Sequence, residues 1–138
     1  LWEVIEAFTA AGGTTVLTTH YMEEAAKLCD RLAILDHGKV IASGTPAELI
    51  ARLDADQIVE LTTANGLDPA ALAGLPGVRA AKSGPRGHRL HVRDIGAAMP
   101  ALLAVLEAHR APLRSLVTRQ PTLDDVFLSL TGRALRDD

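Results

Sequence analysis

The stretch Thr14 to Val40, TTVLTTHYMEEAAKLCDRLAILDHGKV, sets one histidine, His20, between a β-branched apolar run and a helix start bearing Glu23 and Glu24. An imidazole there can donate a hydrogen bond to a phosphate oxygen, and its ring changes protonation near neutral pH. It can also orient an attacking water without being the nucleophile. Strand–His–helix alone is a weak signal, because a lone histidine after a strand is more often a surface residue or a satisfied core one. The position strengthens it. Ligands of open α/β sheets sit beyond the carboxyl ends of strands, and His20 follows directly on such an end.

The other chemistry-bearing side chains read as structural. His88 and His91 are three apart on a predicted strand, so they point to opposite faces and cannot converge on one metal. His37 falls in a hairpin turn, and His109 near a helix end, where a cationic ring favours the dipole. Cys29 has neither a CxxC partner nor a neighbouring base and reads as a small core residue. Glu23 and Glu24 read as helix-start charges, with no spaced carboxylate to complete an acid–base pair. No metal site is expected.

Composition narrows the function classes. The 138 residues are 48% hydrophobic and 22% charged, with a formal net charge of −3. Nucleic-acid binders usually carry a basic surplus, so none is expected as a partner. Lys82, Arg86 and Arg89 do cluster, which a solvated hairpin tip explains at least as well. Aromatics are 3%, too few for base-stacking platforms. A single cysteine excludes an intrachain disulfide and suits a reducing compartment. No apolar run approaches the ~20 residues of a membrane span, so any membrane link is expected to go through a partner.

The elements that must position His20 follow from periodicity. Leu1 to Ala11 has helical spacing and stops at Gly12-Gly13. Thr14 to Thr18 reads as a short strand, buried on both faces if its sheet is parallel. A helix from about Tyr21 to Cys29 follows, then a hairpin of Arg31–Asp36 and Lys39–Ala42 about a His37-Gly38 turn. Thr45-Pro46-Ala47-Glu48 is a capping box with proline at the first helical position, opening a helix to about Leu53. The texture changes at Asp54-Ala55-Asp56, which divides the chain into residues 1–54 and 55–138.

Beyond that boundary the pattern reads strand Gln57–Thr63, helix Pro69–Leu75, strand Val78–Lys82, strand His88–Arg93, helix Ala97–His109 and strand Leu113–Arg119. Pro100 is tolerable only in the first turn of its helix, where its missing N–H would be unpaired anyway. Thr122 caps a last helix to Leu130, stopped by Gly132. The order β-α-β-β-α-β is that of a ferredoxin-like split βαβ unit. The expected class is therefore α/β followed by α+β, with an extra C-terminal helix.

TTVLTTHYMEEAAKLCDRLAILDHGKVIASGTPAEL, Thr14 to Leu49, resembles the end of the nucleotide-binding domain of ABC transporters, a P-loop ATPase fold. The helix from Met22 to Cys29, Asp30-Arg31, the Asp36-His37-Gly38-Lys39 hairpin and Gly44-Thr45-Pro46-Ala47-Glu48-Leu49 stand in family order. The resemblance implies that His20 is the switch-loop histidine that contacts the γ-phosphate. It also implies ATP and Mg2+ as cofactors of a full-length parent, a second copy of the subunit, and a transmembrane permease subunit as partner. The parent would be cytoplasmic and peripheral on the inner face of a bacterial membrane through that permease.

The second half, ending in Arg119 to Gly132 as RQPTLDDVFLSLTG, resembles the accessory C-terminal domain of bacterial exporter ATPases of the daunorubicin-resistance type. That implies efflux of drugs or antibiotics, and a last helix that helps finish the accessory domain. An alternative reading makes this half a regulatory or dimerisation module that binds a small ligand or a second copy.

The chain has no G-x-x-x-x-G-K-[ST] loop to cradle phosphates, no LSGGQ-type signature and no Asp-Glu pair ending an apolar strand. Gly66-Leu67-Asp68-Pro69 resembles the loop after the catalytic glutamate. It lies after His20 instead of before it, however, and Asp68 reads as a helix cap. The chain is expected to be the C-terminal part of a longer ATPase, inactive by itself, with Thr14–Thr18 left without its sheet.

Overall fold

A computed structural model describes residues 1–132. Its contacts gather into two units, Leu1–Leu53 with the segment from Thr122 on, and Asp54–Pro121.

In the first unit, helix α1 (Trp2–Ala10) buries none of its residues. Helix α2 (Met22–Leu28) turns Ala25 inward. Strands β1 (Leu32–Asp36) and β2 (Lys39–Gly44) form an antiparallel hairpin in which Asp36 faces Lys39. His37 and Gly38 take φ of 47° and 73°. Two left-handed residues in a two-residue turn match the right-handed twist of the strands. Helix α3 (Pro46–Ala51) opens on the expected capping box. Thr45 Oγ1 accepts from the Glu48 N–H at 3.1 Å, and Glu48 Oε2 accepts from the Thr45 N–H at 3.0 Å.

The strand expected at Thr14–Thr18 does not form, and Val16 is 97% exposed. A strand is a hydrogen-bonded ladder, and no described strand of this chain lies beside the segment. β-branched propensity without a neighbouring edge is insufficient to order it. Both sheets among the described residues are antiparallel, so a parallel sheet that would bury Thr14–Thr18 on both faces is not among them.

The second unit contains β3 (Gln57–Thr63), α4 (Ala70–Ala73), β4 (Val78–Gly84), β5 (Gly87–Val92), α5 (Ile95–Ala108) and β6 (Leu113–Arg119). The strands lie in the order β4-β5-β3-β6, every neighbouring pair antiparallel. Period-two alternation puts Val59, Leu61, Leu90 and Val92 on one face. There they are buried with Leu72 of α4 and Ala98, Leu102 and Leu106 of α5. Each buried valine or leucine among them contributes roughly 1.5–3 kcal/mol relative to exposure.

Helix starts are set by local acceptors. Asp68 Oδ1 accepts from the Ala70 N–H at 2.9 Å, but the N-cap of the four-residue α4 is Pro69, one position after the expected Asp68. Asp94 caps α5 by accepting from the Ala97 N–H at 3.2 Å. The helix therefore begins at Ile95 and places Pro100 in its second turn, not its first. The Gly96 carbonyl loses its usual donor four residues on, at the cost of one helical hydrogen bond.

The last described helix, α6 (Leu123–Thr131), begins with a second capping box between Thr122 and Asp125 and ends at Gly132, φ 70°. Asp125 is 1% exposed, and its Oδ2 accepts from the Thr122 N–H at 2.7 Å. The inner face of α6 does not finish the second unit, as the resemblance led us to expect. Leu123, Val126 and Phe127 are buried in one cluster with Ala25, Ile34, Ala42, Leu49 and Leu53 of the first unit.

Candidate functional site

His20 stands in the segment that leads into α2. It is exposed, and its ring makes no hydrogen bond among the described residues. The Tyr21 ring lies beside it, centroids 4.2 Å apart and tilted by 34°. Both imidazole nitrogens are thus available to a ligand while one face is packed.

Trp2 Nε1 donates to Glu24 Oε1 at 2.8 Å. Beside His20, Thr19 Oγ1 accepts from the Tyr21 N–H at 3.0 Å. The neighbouring Thr19 hydroxyl, and then the Trp2 donor, hold the Glu24 carboxyl below the usual carboxylate range, and the nearby His20 ring acts in the same direction. Lys27 Nζ lies 4.7 Å from the Trp2 ring centroid, in cation–π range. Glu23, next along, is exposed and takes none of these bonds.

The remaining candidates fall where chemistry is not assembled. His37 Nε2 is 3.9 Å from Asp36 Oδ2 in the hairpin turn. His88 Nδ1 bonds Ser83 Oγ across β4 and β5. His91 is buried opposite Ile58. His109 Nδ1 donates to the Val105 carbonyl at 3.0 Å, bonding one of the last carbonyls of α5. Among the described residues, no three His, Cys, Asp or Glu side chains gather to hold a metal ion. Burial, and then the nearby Asp30 and Glu24 charges, push the Cys29 thiol up.

Of the basic residues read as a hairpin tip, only Arg86 is in the turn. Lys82 and Arg89 face each other within the β4–β5 ladder. Arg89 bonds Glu60 at 3.2 Å, and Arg119 reaches the same Oε1 at 2.9 Å. Glu60 thus offsets a like-charge cross-strand pair. Its pairing with Arg89 follows from the register, which sequence alone leaves open.

A family model for the C-terminal domain of DrrA1-3-like ATP-binding proteins matches residues 44–131. The chain belongs to this family. The linearmycin resistance ATP-binding protein LnrL of Bacillus subtilis is 40% identical to this DrrA1-3-like chain over 141 residues, covering 98% of the chain and 45% of that protein. The Nod factor export ATP-binding protein I of Ralstonia nicotianae is 39% identical over 139 residues, covering 99% and 42%. The protein of the same name from Rhizobium etli is 40% identical over 137 residues, covering 98% and 40%. These relatives uphold the resemblance to ABC transporter ATP-binding proteins read from Thr14–Leu49. The chain spans less than half the length of each. No described helix is long and apolar enough to cross a membrane.

Proposed function

We propose that this chain carries the γ-phosphate-sensing histidine of an ABC exporter ATPase subunit, His20, followed by an accessory domain of ferredoxin-like topology. The observation that carries the proposal is the exposed, unbonded imidazole of His20 at the start of α2, in a segment whose pieces stand in family order. In the parent, ATP with Mg2+ supplies the phosphoryl group whose transfer to water releases the energy for transport. His20 would donate one hydrogen bond to a γ-phosphate oxygen and so register its presence. The chain supplies that one donor but no phosphate cradle, so we expect no ATP turnover from it alone. Turnover by the purified chain that disappears in His20→Ala would overturn that expectation.

In the full-length subunit, His20→Ala should lower ATP turnover by about 10²–10³-fold, the range for deleting one preorganised donor. ATP binding should change little, and unchanged turnover removes His20 from the mechanism. The relatives' names favour export of an antibiotic or a signal molecule through a separate permease, with the subunit working as a pair on the inner membrane face. Release of a labelled drug from vesicles holding both subunits tests that coupling.

The strand order β4-β5-β3-β6, with α4 and α5 following the first and third strands of the unit, supports the ferredoxin-like reading. A second role for Asp54–Pro121, regulation or pairing with another copy, is favoured by its having a core of its own. Replacing Asp54–Pro121 by a short Gly/Ser linker in the full-length subunit, with α6 retained, tests it. Turnover that persists while dimerisation or drug response changes supports regulation; no change in either sinks it.

A further inference from the structure

The unit Asp54–Pro121 holds a cavity of about 450 Å3 at one end of its sheet, within the size range of small-molecule sites. Its walls are the β3–α4 connection and the β4–β5 turn. The register of β3 on β5, with Leu61 opposite His88, sets these two side by side. Gly87, φ 113°, lets them come close, because a Cβ there would strike the Leu61 carbonyl and the Thr62 methyl. At Gly66 and Gly84, also in the walls, a Cβ would meet no atom within 4 Å.

The charge of this cavity is one-sided. Arg79 and Arg93 reach Asp54, and Arg89 and Arg119 reach Glu60. Arg86 reaches no carboxylate among the described residues, and none of the residues lining the cavity is Asp or Glu. The nearest acid in sequence, Asp68, is engaged with the Ala70 N–H. The successive N–H groups of Asn65, Gly66 and Leu67, and that of Arg86, donate no hydrogen bond among the described residues. Runs of free backbone N–H groups attract anions, and a guanidinium holds an oxyanion through two parallel bonds. A solvated hairpin tip accounts for Arg86 alone, but not for three unpaired donors in a second loop with no carboxylate between them.

We propose that this cavity binds a small molecule through an oxyanion, held by Arg86 and by the N–H groups of Asn65, Gly66 and Leu67. The inference rests on the regulatory reading of Asp54–Pro121 and gives that reading a ligand class. Titration of the 15N-labelled chain with inorganic phosphate, and separately with succinate, tests it by NMR. We expect saturable shifts of the Asn65, Gly66, Leu67 and Arg86 amides, and the tighter probe names a phosphate ester or a carboxylic acid. Arg86→Ala should weaken binding about 10–100-fold, as for the loss of one hydrogen bond to a charged group. Gly66→Leu, at a position outside the left-handed range with room for a side chain, should abolish binding while Tm stays unchanged.

Shifts that stay linear with concentration for both probes, or that are the same in Arg86→Ala, overturn the site; the linker replacement then still decides the regulatory reading. In the full-length subunit with its permease, the bound anion should change ATP turnover or drug response, and Arg86→Ala should remove that change. Saturable binding that alters neither keeps the site and overturns the regulatory reading.

Discussion

At the scale of residues, the two titrating groups Glu24 and Cys29 make opposite predictions. Glu24 has a depressed pKa in the folded chain, so its contribution to stability is full above the ordinary carboxylate pKa. It is lost as pH falls through the lower folded value. Trp2 fluorescence followed against pH should therefore show a transition below the usual glutamate range, absent in Glu24→Gln. Cys29 moves the other way, its thiol raised by burial and then by Asp30 and Glu24. Alkylation at pH 7 should be slower than for an exposed cysteine peptide, and an equal rate would contradict the raised pKa. His20 was singled out from its place between apolar run and helix start, and its phosphate-sensing role stands as a proposal. Trp2 was not, because only the fold brings it 22 positions along the chain to Glu24. Glu24 was read as a dipole charge because its donor, Trp2, lies in a separate helix.

At the scale of elements, what was legible is what closes within three residues. Both capping boxes, Thr45 with Glu48 and Thr122 with Asp125, are short-range chemistry that needs no tertiary context. Asp125 adds burial to its cap, so Asp125→Ala should destabilise by about 1–2 kcal/mol, read as a shift in urea midpoint at constant m. Less than a few tenths would place the restraint elsewhere. The His37-Gly38 hairpin was legible for the same local reason. Thr14–Thr18 was not, because β-branched composition states a preference that only a neighbouring strand can realise. Pro100 misled in the opposite sense: expecting it in a first turn moved the helix start to Ala97, whereas Asp94 as cap fixes the start at Ile95.

At the scale of the whole molecule, the division near Asp54 was visible as a change of texture, but the return of α6 to the first unit was not. Amphipathic spacing shows that Leu123, Val126 and Phe127 share a face, and is silent on which core receives it. Phe127→Ala should cost about 3–5 kcal/mol, as for a large aromatic lost from a packed core. Hydrogen exchange should find that loss in Ile34, Leu49 and their neighbours while Val59 and Leu90 keep their protection. Loss of protection in Val59 and Leu90 instead would reassign α6.

The homing of α6 has a further consequence for the order of events during synthesis. The first unit's cluster joins Leu49 to Phe127, so its closure awaits residues made after the whole of Asp54–Pro121. Contacts of such long sequence separation form slowly, because the intervening chain must be gathered first. The sheet unit, complete in itself, can be finished on the ribosome while the segment that was translated before it still lacks its last helix.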